Sequence, residues 1–573
     1  MSEEVAGPHD TIEVDVLIVG AGPVGLLGGV LAAEHGLRAL VVERRDGPQR
    51  SPAAHVVNAR TFEICRQAGL DMDRIANACQ DPSEAGHVNF LTRLNGHLVG
   101  RMPFERQGDE NLAVTPTPLR NLSQHRFEPI LADELRSRSG AELRYGHRWE
   151  HSTPDADGVT SIITDLGSET PIEVRSNYVI GCDGAGSRVR KLLDIEMLGP
   201  PLIQCTLAIN FAADLRWLIA DRPGVLHFIL DPAADGVFVQ HDAADDWVFM
   251  HGIDPSTESV DDYDDARCLE VIRAAAGADI DATILGRGTW WMSAQTATSM
   301  GGGRLFLAGD AAHRFPPTGG LGLNSGVADI HGLLWRLRAI DAGWADPELL
   351  DSYDRERLPV ARHNSDQSLT NAMKMLHLAE ALGLDTEPTT DQLLRAVADE
   401  SRVAAIAEAV ELQEEHFDLV GLQLGYVYTD GAVVAEPACD EPPNARRYVP
   451  SARPGARLPH AWLDAAGGRS TLDLVDLSQP TLLSFGDHDA WEAAAADLSA
   501  HPPAADVPVV HVPVVHVRIG DGSPAPAGWQ ERCGVGSTGA LLVRPDQHVA
   551  FRAVDVGGAD GLASALRTVA GRD

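Results

Sequence analysis

The 573-residue sequence predicts an α/β chain with an α+β insert: a parallel-sheet domain is interrupted by an antiparallel sheet and followed by a second α/β domain. Three observations predict this. A β-branched strand, a glycine turn and an apolar helix open the chain over residues 14–35. Two more strand-to-turn segments recur at 176–190 and 303–324. Between 201 and 290 the pattern changes to short alternating runs (206–211, 225–230, 237–240 and 247–251) separated by turn residues such as Asp231-Pro232 and Asp245-Asp246. The expected organisation is a nucleotide domain in two parts, 1–200 and 291–370, an insert over 201–290, a helical segment over 371–440 and a C-terminal domain over 441–573.

The opening segment is the most informative. Gly20-Ala21-Gly22-Pro23-Val24-Gly25 follows the strand directly, and the next strand, 39–42, ends at Glu43. In such a loop the first glycine permits the turn, the second lets a pyrophosphate approach the backbone and the third lets helix and strand pack closely. The helix start then offers free N–H groups to an anion. An acid at the end of the second strand accepts hydrogen bonds from ribose hydroxyls and repels a 2′-phosphate, which points to FAD or NAD in this cleft. In the later segments, Asp183 within Cys182-Asp183-Gly184 and Asp310 within Gly309-Asp310-Ala311-Ala312-His313 also end strands. Each fits a cofactor contact or a plain helix cap.

Composition narrows the function. A net charge of −37 argues against nucleic acid as a partner. No stretch reaches the roughly 20 apolar residues of a membrane span, and the acidic start does not read as a signal peptide. The seven cysteines (65, 79, 182, 205, 268, 439, 533) include no CxxC pair, which fits thiols in a reducing cytoplasm. No metal site is expected. His511 and His516 lie five apart in a strand, so they would point to opposite faces.

The glycine loop, the Asp183-Gly184 segment and Gly309–His313 followed by Pro316-Pro317-Thr318-Gly319-Gly320 resemble the three signatures of single-component FAD-dependent aromatic hydroxylases. The phenol hydroxylase and 2,4-dichlorophenol 6-monooxygenase branch is the most similar. His55-Val56-Val57-Asn58-Ala59-Arg60 resembles the segment after its second strand, and Pro454–His460 resembles the entry to its thioredoxin-like C-terminal domain. The resemblance implies a Rossmann-like FAD-binding domain. It also implies hydroxylation of a small phenolic substrate with O2 and NADH or NADPH, through a flavin C4a-hydroperoxide. Gly20, Gly22, Pro23, Gly25, Glu43, Arg44 and Gln124 would hold FAD, together with Asp183, Asp310, Gly320, Gly322, Leu323 and Asn324. The C-terminal domain carries Cys533 with no CxxC partner, so thiol exchange there is not expected; the resemblance implies a structural role, with a homodimer interface as one form of it.

A phenol attacks best when its hydroxyl is ionised, so a base or acceptor is expected near the ring. His227, His251 and Arg60 are the first candidates, with His55 and Gln240 beside them, and Phe238, Gln240, Met250, Trp291 and Pro316 are candidates for the substrate wall. Two alternatives remain open: tailoring of a larger aromatic natural product, of polyketide or pyridinol type, and a FAD-dependent reductase or dehydrogenase on the same fold.

Overall fold

The computed structural model describes residues 11–384, 388–437, 444–486, 488–500, 512–520 and 526–572. Val16, Leu17, Ile18 and Val19 are buried on both faces of the strand Ile12–Val19, the pattern of a central parallel strand. It lies between Thr170–Gly181 and Ala39–Glu43, parallel to both, and Ala141–Tyr145 and Leu305–Leu307 extend the parallel run on either side. Val19, Gly181 and Leu307 share one register row. The three glycine-bearing segments therefore leave the sheet together at the carboxyl ends of neighbouring strands, where open α/β sheets bind ligands.

The insert is a seven-stranded sheet in the order Thr283–Met292, Gln204–Ala212, Asp246–Ile253, Gly236–Asp242, Leu226–Ile229, His87–Leu91 and Leu98–Pro103. It extends beyond the expected 201–290, because residues 87–103 add two strands, one of them parallel to Leu226–Ile229. Both faces are covered. Phe211, Phe238, Trp247 and Phe249 pack against the helix Asp265–Ala276 on the outer face. Phe90, Phe228, Val239 and Met250 face Leu378, Leu393, Val410 and Phe417 of the later helices. The boundary expected at 370/371 falls inside one helix, Asp351–Leu382, whose upper half leaves the nucleotide domain to cover the insert.

The last sheet runs Val515–Ile519, Thr481–Phe485, Ala540–Val543, Val549–Ala553, with the first pair parallel and the rest antiparallel, and with the helices His488–Ala500, Trp529–Cys533 and Gly561–Val569. This β-α-β-α-β-β-α order is thioredoxin-like. Cys65, Cys79, Cys182, Cys205, Cys268 and Cys533 are unpaired among the described residues, while Cys439 and His511 lie outside them. Among the described residues no helix is long and apolar enough to cross a membrane, and no cluster could hold a metal ion.

Buried ion pairs fasten this domain to the first. Arg544 donates to Glu356 at 2.6 and 2.9 Å, and Arg336 reaches the same carboxylate at 2.6 Å. Burial would raise the Glu356 carboxyl, but the two guanidiniums hold it below its ordinary value of 4.5. Its contribution to stability is therefore complete above roughly pH 4.5 and is lost as the pH falls through the lower folded value. Glu356→Gln leaves two buried cations short of a counter-charge and is expected to cost about 3–5 kcal/mol in denaturant unfolding at neutral pH, with the gap to wild type narrowing in acid.

Candidate active site

Two helices start at the sheet's carboxyl edge without a side-chain cap. The helix Pro23–Glu34 begins at Gly22 and the helix Leu321–Asp341 at Gly320, whereas Asn58, Asp71 and Asp264 cap others with their side chains. Both therefore present unsatisfied N–H groups and a partial positive charge to the cleft. Gly20 has φ +105°, and a Cβ there would lie 2.3 Å from the Cys182 carbonyl oxygen, so the first and second motifs touch only because it is glycine. Gly320 (φ +61°) faces Val56 in the same way, with a Cβ 2.6 Å from the Val56 side chain. Gly25 lets the helix run against Gly20. Gly22 and Gly322 have no atom within 4 Å of a Cβ, leaving a bare lane over both helix starts. The lane, the two uncapped termini and Glu43 at its side fit a dinucleotide flavin.

Glu43 accepts from the N–H groups of Ala21 and Arg45, both at 3.0 Å. Against the penalty of burial, these donors and the Arg45 guanidinium hold its carboxyl below the ordinary range. Arg45 also donates to the Ala21 carbonyl, so it organises the loop, while Arg44, the arginine expected here, is exposed. Gln124 opens the helix Gln124–Ser137 and donates to Glu128 at 2.6 Å. Asp310 reaches solvent at the cleft, yet enclosure by protein raises its carboxyl against the pull of His313 and Arg314.

Two of the expected contacts have a structural explanation. The Asp183 carboxylate accepts from Arg188 N–H at 2.6 Å and Val189 N–H at 3.2 Å, so it orders the short helix Arg188–Leu192 as the capping reading anticipated. The Asn324 side chain accepts from Asn58 N–H and Thr61 Oγ1 and donates to the carbonyls of Val56 and Gly320. With all its polar capacity used, Asn324 fixes the cradle, and only its backbone is left for a cofactor. Leu323 packs partly against the first core. Pro316 is buried in the third motif.

The candidates for base and substrate wall require correction, because strand residues alternate between faces. His227, Phe238 and Phe249 share a register row on the outer face, away from the cleft. His227 uses both ring nitrogens, on Asn89 and the Gly224 carbonyl, and burial pushes it down to about 4. His251 follows on that face, stacked on Phe249 and bonded to the Asp235 carbonyl. Gln240 pairs with Trp247 in the outer row, and Trp291 is 52% exposed. Arg60 is buried against Glu63, Gln547 and the Asp546 carbonyl, where it docks the C-terminal domain. Only Met250 of the insert candidates lies on the inner face, with Phe228 and Phe90.

His55 lies at the seam between the nucleotide domain and the insert, against Asn121 and His241. It precedes Val56, which packs on Gly320, and its ring stacks on Phe104 at 6.1 Å and 25°. His241 meets its ring edge-on and also meets His125, which bonds Asp246; His241 and Asp246 fall just outside the expected strands 237–240 and 247–251, which run over Gly236–Asp242 and Asp246–Ile253.

Comparison with known proteins agrees with this geometry. A family model described as FAD binding domain matches residues 13–368, and one described as aromatic-ring hydroxylase, C-terminal, matches 451–573. The chain is 32% identical to 2,4-dichlorophenol 6-monooxygenase of Cupriavidus pinatubonensis, over 98% of this chain and 97% of that protein. It is 33% identical to tetracenomycin A2 monooxygenase-dioxygenase of Streptomyces glaucescens, over 95% and 94%. The crystal structure of the flavin-dependent monooxygenase PieE with FAD and substrate superposes with a TM-score of 0.91 at 35% identity, covering 99% of this chain and 100% of that one.

Gly22→Val places a side chain in open space, so the variant is expected to fold while obstructing the lane. FAD affinity, measured by quenching of flavin fluorescence, should fall roughly 10-fold or more, equal to about 1.4 kcal/mol. Unchanged affinity would remove the lane from the cofactor site.

Proposed function

The chain belongs to the FAD-dependent aromatic-ring hydroxylases, and from that membership we propose that it hydroxylates a small phenol, with NADH or NADPH as hydride donor and O2 as oxygen source. The observation that carries this reading is the pair of uncapped helix starts, one of which, at Gly320, packs on Val56 of the insert's inner apolar cluster. Bound FAD supplies hydride acceptance and oxygen activation. The protein's own groups do the rest. Glu43 would accept from ribose hydroxyls, and the N–H groups of Gly22 and Val24 would take the pyrophosphate. The start of Leu321–Asp341 would stabilise negative charge on the bound ring system. Phe90, Phe104, Phe228, Phe417 and Met250 form an apolar cluster between the insert and the later helices, which keeps water from this side of the insert.

A larger fused-ring substrate is the second reading, favoured by the full-length similarity to the tetracenomycin enzyme. A cytoplasmic setting and a homodimer go with either. The test is NADH and NADPH oxidation by the FAD-loaded protein with simple phenols, chlorinated phenols and fused-ring phenolic compounds, under isotopically labelled dioxygen. A phenol that accelerates oxidation and gains one labelled oxygen is the expected result. Acceleration without label would identify a reductase, and acceleration by fused-ring compounds alone would select the second reading.

A further inference from the structure

The insert ends on one side at its edge strand Leu98–Pro103, and the residues that leave it, 104–106, run against 417–419, which join the short helices Glu414–Phe417 and Val420–Gly425. The two segments meet residue by residue. The rings of Phe104 and Phe417 lie 6.2 Å apart, Glu105 N–H donates to the Phe417 carbonyl at 2.6 Å, and Arg106 donates to Asp418 at 2.8 Å. The Glu105 side chain closes the seam: its Oε2 accepts from Leu419 N–H at 3.3 Å and from Gln423 Nε2 at 3.2 Å. Leu419 in turn reaches the cradle. A Cβ on Gly319, which has φ +104°, would lie 2.5 Å from Leu419 Cδ1, so this leucine sits directly against the residue before Gly320.

We propose that Glu105 is a positioning residue for the cofactor: its carboxyl latches Leu419 onto Gly319 and so holds the start of Leu321–Asp341 in place, closed while the carboxyl carries its proton and released when it ionises. The proposal rests on the reading of that helix start as part of the FAD site. Glu105 has φ +51°, a conformation uncommon outside glycine, asparagine and aspartate, so the surrounding contacts hold this side chain where it is. It is buried, and the neighbouring cations are committed elsewhere. Arg106 and Arg446 both donate to Asp418 Oδ2, at 2.8 and 3.2 Å, and Arg446 also pairs with Glu414. Glu105 is left with two amide donors at 3.2 and 3.3 Å, longer than the roughly 2.7–2.9 Å of charge-assisted bonds.

This is the setting of an uncharged acid. Burial, with the Asp418 charge adding to it, pushes Glu105 up to about 8 against the pull of Leu419 N–H, Gln423 and Arg106. The folded protein therefore keeps a proton that the unfolded chain releases near the ordinary value of 4.5, so stability falls as the pH rises from there to about 8 and levels off above it. In alkali a buried carboxylate with no cation of its own draws water between itself and Leu419, and the brace on Gly319 is lost.

FAD affinity of the full chain, read from quenching of flavin fluorescence, tests this. The wild-type protein should bind evenly up to about pH 7 and lose roughly tenfold by about pH 9, the loss expected when a group titrating near 8 must be protonated. Glu105→Gln keeps the acceptor and cannot ionise, so it should match the wild type at about pH 7 and show no alkaline loss. The denaturant midpoint of the FAD-free protein, which should fall between about pH 6 and about pH 9 in the wild type, should fall less in Glu105→Gln. Glu105→Ala removes the acceptor and should lose roughly tenfold in affinity at every pH. An alkaline loss that persists in Glu105→Gln, or a wild-type affinity that stays level, overturns the latch, and these profiles decide even if Glu105→Ala does not fold. Wild-type affinity in Glu105→Ala overturns the positioning role. Undiminished affinity in Gly22→Val instead overturns the cofactor site, and this proposal with it.

Discussion

A chain of buried charges behind the cofactor cleft holds the rest of the molecule in register. Asp329, on the helix that starts at the cradle, accepts from Gly309 N–H at 3.1 Å, bonds His313 at 2.6 Å and takes Arg357 at 2.8 Å. Arg357 and its neighbour Glu356 sit on one helix, and Glu356 passes the chain to Arg336 and Arg544, the latter paired with Asp546 in the C-terminal domain. All of these side chains are essentially inaccessible to water. Such a chain is stable only when every member is present, because an orphaned buried charge costs more than the pair contributes. The third glycine motif, the long helix and the terminal domain therefore adopt their positions together.

This coupling gives the thioredoxin-like domain a role that needs no thiol chemistry. Cys533 is buried and its thiol is pushed up to about 12, which removes it from exchange. Contact with the first domain runs instead through Arg457 on Glu63 and Gln547 on Arg60, both from the helix that follows Val56-Val57. That same helix is capped by Asn58, whose N–H is held by Asn324. The domain thus braces the cradle from behind, at a distance from the cleft itself.

The cleft combines two opposed environments. One side is backbone N–H from two helix starts, suited to a pyrophosphate and to negative charge on a reduced ring system. The other, where Val56 joins the Gly320 cradle to the insert's inner cluster, is apolar, with Phe104 stacked on His55 nearby. Oxygen transfer to a ring needs both, since charge must be stabilised on one partner while water is kept from the other.

The sequence by itself determined the nucleotide domain and its cradle. The Gly20–Gly25 loop, Glu43, Gly309–Asp310 and Gly320–Asn324 are local signals, because a strand, a turn with special φ and a helix start are set by neighbouring residues. It also determined the terminal fold and its lack of a CxxC pair. Where the candidate bases lie was decided by tertiary structure alone. Both faces of the insert are apolar, so alternation could not say which side met the cofactor, and His227, His251, Phe238 and Trp291 fell on the wrong one. Arg60 read as a cleft residue until Gln547 and Asp546, nearly 490 positions away, were seen to hold it. His55, His125 and His241 are unremarkable apart, and only packing of the insert on the nucleotide domain makes them one row.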